Sequence, residues 1–425
     1  MRFDNVAAWL AYQESLNVKS IDLGLERVKA VYDRLQLQPR WRAVVTVAGT
    51  NGKGSCVAML ASILTDSGYR VGTYTSPHLF RYNERICLNG QPVDDTVLCD
   101  AFAQVEAARG DIALTYFEFG TLAALVIFAQ SSLDAVVLEV GLGGRLDAVN
   151  IIDPDVALIT ALDIDHVDWL GPDRESIAKE KAGIMRPGKP MVCIDTDPPR
   201  SLRVQAQQLG AIAYFINEEF TCSAADKSHW CWRYGKLARD YPYPSLIGDF
   251  QRRNAAGVVM TLHLLKQQLP VDEQCITKGL QRTSIPGRFQ VIPGKVTHIF
   301  DVAHNAQAAQ ALANNLEKTP GTGRTFAVVG MLKDKAIAEV AHAMTRVIDY
   351  WYAGALQVPR AASSEYLTDQ ISKGALIDTN IAAFDRIESA YRAACDNANA
   401  GDRIVVFGSF YTVAAVLPLA QKMGV

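Results

Sequence analysis

What this 425-residue chain lacks narrows the field first. No run of about 18 apolar residues occurs, so no segment reads as a membrane span. Charge is nearly balanced, with 42 Lys and Arg against 45 Asp and Glu for a net −3, which removes any electrostatic ground for expecting nucleic acid or an anionic membrane as a partner. The cysteines (Cys56, Cys87, Cys99, Cys193, Cys222, Cys231, Cys275 and Cys395) form no C-x-x-C pair. That scatter fits neither zinc spacing nor a disulfide framework, and it suits a reducing compartment. The opening residues, MRFDNVAAWLAYQESL, put acidic and polar side chains where a signal peptide needs an unbroken apolar core. A cytoplasmic protein is expected. Two nucleotide signatures are missing as well: the common phosphate loop G-x-x-x-x-G-K-[ST] and a base-recognition N-K-x-D.

What is present alternates. RAVVTVA (42–48) reads as a strand, followed by a helix over 55–67, and YRVGTYTS (69–76) is the next strand. The helical run 115–130 precedes strand 134–141; strand 154–164, a helix near 175–185 and strand 189–195 complete the series. Apolar, β-branched strands separated by helices imply a parallel sheet covered on both faces. Residues 218–245 break the rhythm and read as a short antiparallel patch or loops, before a helix over 252–269. The stretch TSIPGRFQVIPGK (283–295) carries two Pro and two Gly, which marks a connection between domains. A second alternation then runs through THIFDVAHN, a helix over 306–317, RTFAVVGML, a helix over 335–347, DYWYAGAL, a helix over 384–399, DRIVVFGSF and a last helix from about 411. The expected fold class is α/β. A parallel-sheet phosphate-loop domain spans 1–285, a linker 286–295, and a smaller Rossmann-like α/β domain 296–425.

Between the first strand and the first helix of that series lies AGTNGKGSC (48–56). Gly49, Gly52 and Gly54 allow backbone to approach a phosphate, and the amides of the following helix point at it. Lys53 adds a charge, and the Ser55 hydroxyl stands where a magnesium ligand is wanted. Oxygen or imidazole donors end neighbouring runs: Ser76, Glu139 and His166. In a parallel sheet the carboxyl ends of the strands share one edge, so these side chains can converge on Ser55. EVGLGGRLDAVN (139–150) resembles a dinucleotide fingerprint but lacks a following helix, and reads better as an ordered loop carrying Arg145 and Asp147 beside that edge. Lys179 and Lys181 lie two apart on a helix and face different ways, with nothing in the composition to choose between them. Beyond the linker, Asp301 is suited to a ribose hydroxyl or to a helix cap, Arg288 to a phosphate reached across an interdomain cleft, and Ser409 sits at a second strand-end turn.

Taken in order, GTNGKGS, TSPHL, EVGLGGRLDA, DHVDWLG, EKAGI, PGRF and FDVAHN resemble the bacterial dihydrofolate synthase/folylpolyglutamate synthase family of the Mur ligase superfamily, from about Ile21 to Val413. The resemblance implies an ATP-dependent ligase: a folate-type carboxylate is phosphorylated, and the amine of L-glutamate attacks the acyl phosphate while a smaller domain closes over the site. It implies that Gly49, Thr50, Asn51, Gly52, Lys53, Gly54 and Ser55 bind ATP together with Asn254, Arg288 and Asp301. Ser55, Ser76, Glu139 and His166 would hold Mg2+, two ions in all, and Lys181 would be carbamylated. Lys53, Glu139, His166, Lys181 and His304 are the implied catalytic residues. For the pterin substrate the resemblance implies Asp22 and Leu23, then Thr115, Tyr116 and Phe117, then Leu146, Asp147 and Ala148, while Ser409, like His304, falls in a segment associated with glutamate. Plain core packing is the other reading of Tyr116 and Phe117. A monomer is implied, with dihydropteroate, reduced folates and L-glutamate as substrates. A cell-wall ligase of the same superfamily would need a UDP-binding domain ahead of Gly49, so the folate branch is expected. Ala306-Gln307 stands where relatives carry a proline, a change in the first helical turn that touches none of these side chains.

Overall fold

The computed structural model describes residues 3–17, 21–319, 321, 323–375 and 380–423. The strand Ala43–Ala48 is buried at every position, as expected of a strand covered on both faces whose only polar residue is Thr46. Around it forms an eight-stranded sheet. Its order is Gln91–Pro92, Ile86–Leu88, Val71–Tyr74, Ala135–Glu139, Ala43–Ala48, Val156–Ile159, Pro190–Cys193 and Ile212–Phe215. The last six run parallel, and the two edge strands at the start pair antiparallel. Register pairs Val47 with Glu139 and Ala48 with Ile159, while Tyr74 faces Leu138. The strand ends next to the glycine loop therefore lie level.

Helices cover this sheet. Tyr116–Gln130 is buried along nearly its whole length, and its Phe119, Leu122 and Phe128 join Trp9, Phe102 and Leu138 in one core. Residues 218–245 form a three-stranded antiparallel sheet, Phe220–Ala224, His229–Tyr234 and Leu237–Pro242. Contacts divide the chain into two units, one of Met1–Ser245 with Gln251–Thr283, the other of Leu246–Phe250 with Ser284–Val425.

The second unit holds a six-stranded sheet in the order Gln290–Ile292, Thr297–Phe300, Arg403–Phe407, Thr325–Val329, Tyr350–Gly354 and Asn380–Phe384. All pairs are parallel except the first. Its own core gathers Phe289, Ile299, Leu312, Met331, Trp351 and Phe407.

Several expectations are corrected. The stretch read as a linker (286–295) contains an edge strand of the second sheet, because Gln290–Ile292 pairs with His298–Phe300. The strand expected over 154–164 ends at Ile159, so His166 stands seven residues past the sheet and opens a short helix, Val167–Leu170. Pairs that went unread are the helix Asp95–Arg109 behind the hairpin of Ile86–Leu88 and Gln91–Pro92, and the helix Ser364–Gly374 ahead of strand Asn380–Phe384. Among the described residues no helix is long and apolar enough to cross a membrane.

Candidate functional site

The glycine loop is held from two sides. Gly49 has φ +151°, and a Cβ there would collide with Thr160 Oγ1 on the neighbouring strand end. Gly52 has φ +98°, a region that side chains avoid, and a Cβ would stand 2.8 Å from Asn254 Oδ1. Asn254 thus lies directly on the loop. Its Nδ2 donates to Gln251 Oε1 at 2.9 Å, and Gln251 Nε2 donates to Ser55 Oγ at 3.3 Å. The helix Lys53–Asp66 starts at Gly52 without a side-chain cap, which leaves its first amides for a phosphate.

Two ammonium groups meet on one carbonyl. Lys53 Nζ donates to Gly49 O at 3.0 Å and to Thr50 O at 3.2 Å, and Lys181 Nζ donates to Gly49 O at 2.9 Å. Lys181 is 5% exposed. Its burial, with Lys53 beside it, brings its amine down to about 7, while Asp165 and Asp147 act in the opposite sense. The helix Arg174–Ala182 explains the choice between its two lysines, since Lys179 is exposed and Lys181 faces inward. Arg145 fixes this helix to the glycine-rich loop: its N–H donates to Glu180 O at 2.7 Å and its guanidinium pairs with Glu180 at 2.9 Å.

Glu139, the last residue of its strand, accepts from Ser76 N at 3.3 Å. A Cβ on Gly54 would lie 3.8 Å from Glu139 Oε2, so the carboxylate borders the loop. Ser55, Ser76 and Glu139 are therefore brought to one place. His166, with φ +54° and its side chain 44% exposed, is tied to the loop indirectly. The tie is the segment before it: Thr50 N donates to Ala161 O, and Thr50 Oγ1 exchanges hydrogen bonds with Asp163 O and N at 2.9 and 3.0 Å. Among the described residues no three His, Cys, Asp or Glu side chains converge. A single carboxylate with hydroxyls suits a hard divalent ion that keeps water, as Mg2+ does.

Other predicted positions gather beside that edge. Thr115 caps the helix Tyr116–Gln130 in a capping box with Glu118, its Oγ1 accepting from Glu118 N at 3.2 Å. Arg27 joins Glu118 at 3.2 Å to Asp22 at 2.9 Å, and so links the segment of Asp22 and Leu23 to Thr115. Tyr116 and Phe117 are half-buried. The Phe117 ring stands 5.7 Å from that of Tyr74 and lies against Gly141, where a Cβ would come within 2.5 Å. Leu146 is half-buried, whereas Asp147 and Ala148 are buried. The Asp147 carboxylate accepts from Leu142 N at 2.8 Å and Val149 N at 3.1 Å, and burial pushes it up to about 6. Its side chain shapes the loop.

In the second unit Asp301 accepts from Phe289 N and Ala303 N, both at 2.8 Å, and burial raises its carboxyl although Arg288 opposes this. The cap of helix Ala306–Lys318 is Asn305, so the capping alternative for Asp301 is set aside. The Arg288 guanidinium stands 5.5 Å from the Phe410 ring centre and the His304 ring 6.4 Å from it. Ser409 caps helix Phe410–Lys422, so Arg288, Asp301, His304 and Ser409 form one group.

Gln251, Asp165, Arg27 and Glu118 had gone unnoticed in the sequence. Gln251 and Asn254 are three apart on one helix face, a legible signal once Asn254 is suspected. Arg27 and Glu118 meet over 91 residues, which no local pattern foretells.

A glycine-rich phosphate loop at the carboxyl edge of a parallel sheet, with a carboxylate and hydroxyls at adjoining strand ends and a second α/β unit, defines a nucleotide-using enzyme of the ligase type. The model of the Mur ligase middle domain matches residues 47–261, and that of the Mur ligase glutamate ligase domain matches 287–410. The dihydrofolate synthase/folylpolyglutamate synthase of Escherichia coli (strain K12) is 44% identical over 423 residues, 99% of this chain and 97% of the relative. The structure of E. coli FolC in complex with DHPP and ADP is similar at TM-score 0.93 and 43% identity, covering 99% of both chains. A bifunctional folylpolyglutamate synthase/dihydrofolate synthase with Mn, AMPPNP and L-glutamate bound is similar at TM-score 0.89 and 44% identity, covering 99% of this chain and 98% of that one. The chain belongs to the Mur ligase superfamily and, within it, to the dihydrofolate synthase/folylpolyglutamate synthase family.

Proposed function

We propose that this chain uses ATP to join L-glutamate to dihydropteroate, giving dihydrofolate, and to reduced folates, giving folylpolyglutamates. A carboxylate oxygen of the acyl substrate attacks the γ-phosphorus and ADP leaves. The glutamate amine then attacks the carbonyl of the acyl phosphate, loses a proton, and expels inorganic phosphate. The loop amides from Gly49 to Ser55 and the Lys53 ammonium neutralise the phosphates, an electrostatic task suited to a preformed cradle. The observation that carries this reading is the meeting of Ser76, Glu139 and the Gly52–Ser55 turn at one sheet edge.

Ser55, Ser76, Glu139 and His166 are assigned to two Mg2+ ions, which when bound would draw charge from the transferring phosphoryl group. Lys181 is assigned a carbamate, since an amine near pKa 7 is largely neutral at physiological pH and open to carbon dioxide. Asn254, Arg288 and Asp301 are assigned to ATP, and His304 and Ser409 to glutamate. Asp22, Leu23, Thr115, Tyr116, Phe117, Leu146, Asp147 and Ala148 are assigned to the pterin acid, with the half-buried rings of Tyr116 and Phe117 offered to its flat ring system. The enzyme is further proposed to act as a cytoplasmic monomer.

Incubation with dihydropteroate, ATP and labelled glutamate tests this, with labelled dihydrofolate and one ADP per product expected. Glutamate transfer to reduced folates alone would leave a chain-extending enzyme. ATP hydrolysis that ignores both acids would refute the ligase reading.

A further inference from the structure

Arg85 has no part in the assignments above. Its carbonyl accepts from Thr75 N at 2.8 Å, next to Ser76, so it is anchored to the turn that leaves the strand Val71–Tyr74. Its guanidinium carbon stands 5.2 Å from the ring centre of Tyr82 and 5.6 Å from that of Tyr116. Those two rings lie 5.6 Å apart at 86°. Its Nε donates to His78 Nδ1 at 2.9 Å. Two aromatic contacts and one hydrogen bond fix the plane of the group.

Its charge is left without a counter-ion. Among the described residues Arg85 enters no ion pair. The adjacent carboxylate, Glu84, is occupied by the N–H groups of Leu79 (2.7 Å), Phe80 (2.9 Å) and Arg81 (2.7 Å). Asp95, farther along the chain, binds Arg81 at 2.7 Å and Asn83 at 2.9 Å. A half-buried guanidinium whose fork has no protein acceptor is set up for a planar anion, and a carboxylate matches it best.

We propose that Arg85 binds a carboxylate of the acyl substrate, namely the α-carboxylate on the terminal glutamyl residue of a folate. The inference rests on the reading that Tyr116 belongs to the pterin-acid site. The carboxylate that reacts must face the phosphate loop and gives up its charge when it becomes an acyl phosphate. A glutamyl folate carries a second carboxylate that stays ionised throughout, and a permanent counter-charge beside the aromatic segment answers that need. Dihydropteroate ends in one carboxylate and has no such group. Arg85 is therefore a residue that favours chain extension over the first glutamate addition.

Kinetics with both acids test this. Arg85→Gln should raise KM for a reduced monoglutamyl folate by about 10- to 100-fold, the range for a lost charge-assisted pair, with kcat changed far less. KM for dihydropteroate should move by less than about threefold on the same scale. Arg85→Lys, which keeps charge without the fork, should recover part of the folate affinity. Wild-type enzyme supplies an independent arm: a folate analogue ending in γ-aminobutyrate keeps the reacting carboxylate and lacks the α-carboxylate. It should show the same raised KM with wild type and no further rise with Arg85→Gln. Equal losses with both acids, no loss with either, or a normal wild-type KM for the analogue would overturn the proposal. Wild-type enzyme that glutamylates neither acid would instead refute the functional reading.

Discussion

Glu139 and Lys181 are the two side chains on which the proposed chemistry makes the sharpest demands. Glu139 lies 3.3 Å from Ser76 N at the end of a fully buried strand, so Glu139→Gln preserves shape while removing one unit of negative charge. Both glutamylation activities should fall by about a hundredfold or more, the usual cost of losing one preorganised electrostatic partner, with an unchanged melting temperature. Near-normal turnover would take Glu139 out of the metal site. Lys181 allows a test by pH. Its folded value of about 7 lies below the ordinary 10.5, so between these limits the unfolded chain binds the extra proton. Stability of the unmodified protein should therefore rise with pH from about 7 to 10.5. Urea unfolding in buffers free of carbon dioxide checks this. Lys181→Met should flatten the profile, and an unchanged slope would mean that the amine is solvated.

At the scale of elements, the start of helix Tyr116–Gln130 joins stability to substrate contact. Thr115 and Glu118 cap it reciprocally, and Arg27 ties that cap to Asp22. Thr115→Ala should cost about 1 kcal/mol in denaturant unfolding, as lost N-caps do, and should raise KM for dihydropteroate more than KM for ATP. Equal rises in both would separate the cap from the pterin-acid site. Elements differ in how plainly the sequence announces them. Ala43–Ala48 and Ala135–Glu139 were legible because both faces are covered and, Glu139 at the strand end aside, every position is apolar or small enough to bury. Asn380–Phe384 was not, since this edge strand has no fully buried position and its short apolar run, Ile381–Phe384, contains two alanines that favour a strand weakly. His166 was misplaced for a related reason: the run ALITALDI stays mostly apolar beyond the last strand residue, Ile159, through Ala161, Leu162 and Ile164. Side chains at strand ends could be inferred from the shared edge of a parallel sheet. The backbone partners of Asp147 could not, because only the folded loop presents the amides of Leu142 and Val149 to it.

Over the whole molecule, the chain divides into a larger unit with the phosphate loop and a smaller one with Arg288, Asp301, His304 and Ser409 around Phe410. The alternation of strands and helices was enough to foresee two α/β parts. The assignment of Leu246–Phe250 to the second unit was not foreseeable, because a helix continuous from Asp249 to Leu264 gives no sign of the division at Gln251. The claim that unites both units is that a carboxylate is activated by direct attack on ATP. Dihydropteroate labelled with oxygen-18 in its carboxylate tests it in the intact enzyme. One labelled oxygen should appear in inorganic phosphate for each dihydrofolate formed. Dihydrofolate produced with unlabelled phosphate would contradict the acyl-phosphate route.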